Sequence, residues 1–357
     1  MTISASSNLL PGHHHEIDQP QLIFFTELDT SALLSCLRMP SVLQHLSELQ
    51  ASVALAFPDL HPHRIKAAKI LQAHGIPCVA WLCLKQEEGI AFNLTNYPRA
   101  IGRYEALSQW LKEEEIEPVS VGFTIKPPIA ASSWSIWGAL RAFARGLWLA
   151  RDNALYPAAR DAYIELVNAI RRDGHEVHVY YMPLVADDQR VGTTLIQRAL
   201  DIVDLPADVD VLLCSSKIPL RWLGGDLGGA LVASYGPVSD AIGVGAIDLS
   251  HSNRKALGWP QLRRDLLLAA QHTDTIYIMS LEHCIRNGLL ESIGTLDWNA
   301  PARAIPSRSA LVSSMRAILL LTLLIARYGR VALAWLGWLT ALILWLRGRR
   351  GRGQVSG

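Results

Sequence analysis

Side chains able to do chemistry collect in this sequence just beyond short apolar runs. Glu27 and Asp29 follow Gln21–Phe25, Asp59 follows Ser52–Phe57, and Lys85, Glu87, Glu88, Asn93 and Asn96 follow Pro77–Leu84. Thr124 and Lys126 close the run starting at Val119, and Tyr181, with Asp187 and Asp188 beyond it, closes the run starting at Val177. Ser215 and Lys217 follow Val209–Cys214, Tyr235 ends Leu231–Tyr235, and Glu282 and His283 follow Thr275–Ser280. Carboxylates and amides around an aromatic-lined opening suit a sugar, whose hydroxyls take planar, bidentate partners. Glycosidic cleavage needs two carboxyl groups, one on each side of the scissile bond. The ligand-binding candidates are Glu27, Trp81, Glu87, Asn93, Asn96, Thr124, Tyr181 and Tyr235.

Other chemistries find less support. No Ser-His-Asp order, His-x-Glu metal pattern or Cys-His nucleophile spacing stands out, which ranks acyl transfer and zinc hydrolysis low. The five cysteines (Cys36, Cys78, Cys83, Cys214 and Cys284) are odd in number and scattered through apolar runs without zinc-ligand spacing. They read as buried thiols in a reducing compartment. No metal and no cofactor is expected. His13, His14 and His15 read as part of a disordered leader over residues 1–20, which lacks the features of a secretory signal. A net charge of +1, with basic residues concentrated near the C-terminus, points away from nucleic acid.

The apolar runs themselves read as strands. They are mostly β-branched and continuous rather than alternating, which suits parallel strands covered on both faces. Helical stretches such as Pro62–His74, Tyr104–Glu115, Tyr156–Arg172 and Gly192–Val203 lie between them. Eight strand–helix units over residues 21–305 amount to a (β/α)8 barrel, with reactive groups at the C-terminal ends of the strands. A doubly wound open sheet is the runner-up, but no Gly-rich phosphate loop follows an early strand. The Gly224–Gly229 stretch is placed before a strand, at Leu231–Tyr235 (with Ile242–Ile247 as a possible continuation), and reads as a permissive loop. An expanded unit at residues 132–153 carries Trp134, Trp137 and Trp148 beside Arg141, Arg145 and Arg151. It reads either as an extra helix packed on the barrel or as a contact for lipid headgroups.

Three stretches, VAWLCLKQEEGIAFNLTN, VSVGFTIKPP and IYIMSLEHCIRNGLLESIGTLDW, resemble those of uncharacterised bacterial TIM-barrel proteins distantly similar to glycoside hydrolases. The resemblance implies an Asp-x-Glu-Pro-Pro pattern ending the fourth strand and a Ser-Leu-Glu-Gly-Cys-like turn after the eighth. Glu282 stands where that turn puts its carboxylate, and the resemblance makes Glu282 and Lys126 the two catalytic candidates. The fourth strand departs from the pattern, with Thr124 and Lys126 in place of Asp and Glu. Threonine does not replace a carboxylate as nucleophile without an adjacent base. A lysine ammonium protonates a leaving group poorly near neutral pH unless burial lowers its pKa.

Residues 306–357 change character. Ala317–Ala326 and Val331–Leu346 are apolar, Trp335, Trp338 and Trp345 mark the second stretch, and Arg347, Arg349, Arg350 and Arg352 follow. The second stretch is short for a bilayer that needs roughly 20 residues. Arg316, Arg327 and Arg330 fall on nearly one helical face, as in an interfacial helix. The expectation is a membrane-anchoring helical segment, in-plane, re-entrant or briefly crossing, with the barrel in the cytoplasm. Two functional readings follow. One is a membrane-associated, glycoside-hydrolase-like barrel acting on or binding a glycan, glycolipid or polar lipid headgroup. The other is a non-catalytic barrel that binds a ligand or scaffolds a membrane-protein complex.

Overall fold

The computed structural model describes residues 19–26, 28, 30–128, 153–214, 226–245 and 257–352. Glu27, Asp29, Ser215, Lys217, Gly224, Gly225, the three leader histidines and the Trp-rich stretch up to residue 152 lie outside the described residues. Parallel strands close into a barrel in chain order: β1 (Gln21–Thr26), β2 (Ser52–Phe57), β3 (Cys78–Leu82), β4 (Ser120–Thr124), β5 (Glu176–Tyr181), β6 (Val209–Leu213), β7 (Ala241–Gly245) and β8 (Thr275–Met279). Closure is direct: Phe25 of β1 registers with Ala54 of β2 on one side and Met279 of β8 on the other. This excludes the open sheet.

The described helices are α1 (Thr30–Leu37), α2 (Pro40–Glu48), α3 (Pro62–Ala73), α4 (Ala100–Glu113), α5 (Leu155–Arg172), α6 (Val185–Val191), α7 (Leu195–Ala199), α8 (Gly228–Tyr235), α9 (Trp259–Ala269), α10 (Leu281–Arg286), α11 (Leu289–Gly294) and α12 (Pro306–Arg352). Proline opens α2, α3 and α9 within the first two positions, where its missing N–H costs no helical bond.

Two apolar layers hold the barrel. Outward strand residues such as Leu22, Phe24, Leu55, Phe123, Val179 and Tyr181 pack against the helices. Inward residues Ile23, Phe25, Trp81, Tyr180, Val211, Tyr277 and Met279 fill the interior. Large rings are matched by small neighbours: Phe25 sits beside Ala54, and Trp81 registers with Ala56 and Gly122. Gly122 is required because the Tyr180 phenol crosses over it, where a Cβ would collide. The centre is therefore a packed core, as in barrels of this size.

Two expectations need correction. Leu231–Tyr235 is not a strand but the second half of α8, and the seventh strand is Ala241–Gly245. The described part of the Gly-rich stretch therefore lies between a strand and a helix, after β6 and at the start of α8. There Arg264 grips Asp226 through two bonds of 2.9 and 2.6 Å and Asp265 at 2.6 Å. The C-terminal apolar stretches are also not separate: α12 is a continuous helix of 47 residues.

The first half of α12 completes the barrel wall. Leu311 and Val312 pack on Leu227, Ala230 and Leu231, while Leu319, Leu320 and Leu323 pack on Leu184, Val191, Leu195, Ile196 and Leu200. Arg316 and Arg327 share this face, so they are docked on protein rather than forming the polar face of an interfacial helix. Arg316 Nε donates to Asp187 Oδ1 at 2.8 Å, its Nη1 donates to the Ser234 carbonyl, and its guanidinium lies 4.1 Å from the Tyr235 ring centroid. Arg327 Nη1 donates to the Val191 carbonyl. Gly192, which ends α6 in the left-handed region at φ 68°, leaves the space that Arg327 occupies.

Candidate functional site

Barrel topology sets the positions of the two catalytic candidates. Lys126 lies just beyond β4, and Glu282 lies in the first turn of α10, just beyond β8. In a closed ring of this order, β4 and β8 are diametrically opposite. Lys126 and Glu282 therefore stand at strand ends on opposite sides of the mouth. Both are half-buried.

Glu282 is positioned from two directions. Ser280 caps α10 by accepting from the His283 amide, which fixes the first turn. Oε1 of Glu282 accepts from Thr26 Oγ1 at 2.7 Å and from the Leu28 amide at 3.1 Å. This oxygen thus ties the end of β1 to the start of α10. His283 turns away: its Nε2 bonds the Leu257 carbonyl oxygen at 2.9 Å, and Asn287 Nδ2 approaches Nδ1 at 3.0 Å. A carbonyl only accepts, so Nε2 donates in this contact.

Thr124 and Trp81 are brought together, but with each other as partners. Trp81 Nε1 donates to Thr124 Oγ1 at 3.1 Å, and both side chains are buried inside the barrel. Phe25 closes over this pair, its ring centroid 4.8 Å from Trp81 and 4.9 Å from Tyr180. Below it, His178 Nδ1 and the Tyr277 hydroxyl share a short hydrogen bond. Burial lowers the His178 pKa, with Glu176 opposing the shift, so the imidazole stays neutral in the core.

The remaining candidates are placed elsewhere. Tyr181 points outward, fully buried among the helices, and its hydroxyl accepts from the Leu205 amide at 2.7 Å. Its neighbour Tyr180 is the inward residue, which the sequence reading missed. Tyr235 lies on α8, not at a strand end, and its hydroxyl donates to Asp187 Oδ2 at 2.7 Å. Asn93 and Asn96 brace their own turn: the Asn93 amide donates to Asn96 Oδ1, Thr95 donates twice to Asn93 Oδ1, and Asn96 Nδ2 donates to the Ala91 carbonyl. Glu87 is exposed on a short 3₁₀ turn, Gln86–Glu88.

Burial disfavours the thiolate form of Cys36, Cys78 and Cys284. Burial, reinforced by the Glu282 charge, pushes Cys36 up to about 11 and Cys284 up to about 12. Burial alone drives Cys78 to about 12 against a weak backbone hydrogen bond. Such thiols stay protonated near neutral pH and make poor nucleophiles. Among the described residues, no group of three or more His, Cys, Asp or Glu side chains is placed to hold a metal ion.

No protein-family model matches this chain, and no curated protein does. Solved structures share its architecture at a distance. A D-allulose 3-epimerase from Methylomonas sp. is 8% identical over 84% of this chain and 98% of its own, with a TM-score of 0.40. An exo-β-1,4-mannosidase from an Opitutaceae bacterium is 11% identical over 84% of this chain and 60% of its own, with a TM-score of 0.41. A D-psicose 3-epimerase from Clostridium cellulolyticum is 10% identical over 84% of this chain and 99% of its own, with a TM-score of 0.39. Likenesses at this level transfer no activity to the chain. The closed β1–β8 ring itself carries the fold.

Proposed function

We propose that this chain is a membrane-associated barrel that binds a polar ligand, a glycan or a lipid headgroup, at its C-terminal mouth without cleaving it. The observation that carries this reading is the placement of Lys126 and Glu282 on opposite sides of the mouth. Two-carboxyl hydrolysis needs an acidic group on each side of the scissile bond, and here one side presents an ammonium. Thr124, which stands where the resemblance implies a carboxylate, has its hydroxyl engaged by Trp81. A cation facing a carboxylate suits a ligand rich in hydroxyls or carrying both charges. The apolar C-terminal helix supports the membrane half of the reading. The barrel would sit on the cytoplasmic side, in keeping with five free, buried cysteines.

The test is calorimetric titration of the full chain with soluble glycans and short-chain phospholipids, with the products analysed in parallel. Lys126→Ala and Glu282→Gln should each weaken binding at least about tenfold, the loss of one charge-assisted contact, with ligand recovered intact. Turnover by the native chain that Glu282→Gln abolishes would show an enzyme instead.

A further inference from the structure

The outward side of α12 has a regular composition along its length. Ile318, Ile325 and Leu339 fall at spacings of seven or fourteen, and so do Leu321, Tyr328, Trp335 and Leu342. A repeat of seven drifts only about 20° per heptad on an α-helix, so both tracks stay on one face. All of these residues are exposed, Ile318 and Trp335 at 67% each. The barrel-facing side is different: it carries the docked leucines, Arg316 and Arg327, and beyond them the small residues Ala334, Gly337 and Ala341. Trp338, 77% exposed, falls on the barrel-facing side, about five helical turns beyond the docked Leu320.

By length and composition alone, Pro306–Tyr328 could cross a membrane, with 23 residues and a mean hydropathy of 2.0. Its docking opposes that. Crossing would either carry the charged barrel flank into hydrocarbon or strip Arg316 from the fully buried Asp187. The remaining apolar stretch, residues 331–346, spans about 24 Å at 1.5 Å per residue, short of a hydrocarbon core of about 30 Å. If that stretch crossed alone, the same continuous helix would hold Ile318, Leu321 and Ile325 in water.

Resting on the membrane reading above, we infer that α12 lies in the plane of an anionic phospholipid surface, its outward face in lipid along its whole length and the barrel seated on its other side. The partner is lipid rather than a second copy. Residues 331–346 carry no charge, so they offer no ion pairs to specify the register of a second copy in water. Arg347, Arg349, Arg350 and Arg352 follow, matching anionic headgroups.

The test uses single variants of the full chain, Ile318→Cys, Ile325→Cys and Leu339→Cys, each carrying an environment-sensitive fluorophore. The five native cysteines are buried, so the unsubstituted chain serves as an unlabelled control. Vesicles of phosphatidylcholine and phosphatidylglycerol with brominated acyl chains should blue-shift and quench all three probes to the same extent. Binding should weaken at least about tenfold on phosphatidylcholine alone. Deep quenching at Leu339→Cys with none at Ile318→Cys would overturn the in-plane placement and leave membrane association standing. A blue shift that grows with protein concentration, without vesicles, would overturn it in favour of a second copy. No response at any position would overturn the membrane reading itself.

Discussion

Arg316 Nε meets Asp187 Oδ1 at 2.8 Å, joining positions 129 residues apart in the chain. Asp187 is fully buried and also accepts from the Tyr235 hydroxyl, while the Arg316 guanidinium lies against the Tyr235 ring. The contact makes the start of the apolar C-terminal helix part of the barrel wall. The apolar C-terminal helix and the barrel are thereby one mechanical unit.

Removing one partner of such a pair leaves the other as an uncompensated buried charge. Arg316→Ala should lower stability by about 3–5 kcal/mol. Replacing both partners with apolar residues, as in Arg316→Met with Asp187→Leu, should restore part of the loss. Denaturant midpoints at constant slope check both outcomes.

Neighbouring leucines on α12 should behave oppositely. Leu323 is fully buried against Val191 and Ile196, whereas Leu321 is 58% exposed. Leu323→Ala should cost about 2–5 kcal/mol, and Leu321→Ala should stay within about 0.5 kcal/mol. Thermal unfolding in the absence of lipid reads the difference.

The barrel was legible in the sequence because parallel strands buried on both faces are apolar throughout. That same property hides which residues point inward. Tyr180 and Tyr181 look alike in the sequence, yet Tyr180 fills the interior and Tyr181 packs against the helices. The seventh strand, Ala-Ile-Gly-Val-Gly, has two glycines and reads only as a possible continuation of a strand placed at Leu231–Tyr235. Apolar Leu-Val-Ala-Ser-Tyr reads as strand because five mostly apolar residues are too few to show helical periodicity. At the site, the position of Glu282 was legible, but the Trp81–Thr124 bond and the docking of Arg316 depend on partners distant in sequence.

Acid–base behaviour should show on the outer side of β6, near its start. Gln189 Nε2 donates to Asp204 Oδ1 at 2.9 Å and to Asp210 Oδ2 at 3.4 Å. Burial, then the Asp204 charge, pushes the Asp210 carboxyl from its usual 3.8 up to about 7. The folded state therefore holds a proton that the unfolded chain releases first. The stability this contributes is complete below about pH 4 and is lost as pH rises through about 7. Asp210→Asn should flatten the decline over that window, and Asp204, raised mainly by burial, should account for the slope that remains. Unfolding midpoints across the window read both slopes.

Attachment through the outward face of α12 is tested most directly by vesicle flotation. The native chain and an Ile318→Glu, Leu321→Glu, Ile325→Glu variant are compared on phosphatidylcholine and phosphatidylglycerol vesicles. These side chains are exposed and touch no part of the described barrel core, so the variant should unfold at the same temperature as the native chain. The native chain should float with the vesicles and the variant should stay in the dense fraction. Equal flotation of the two, or a native chain that does not float, would contradict attachment through this face.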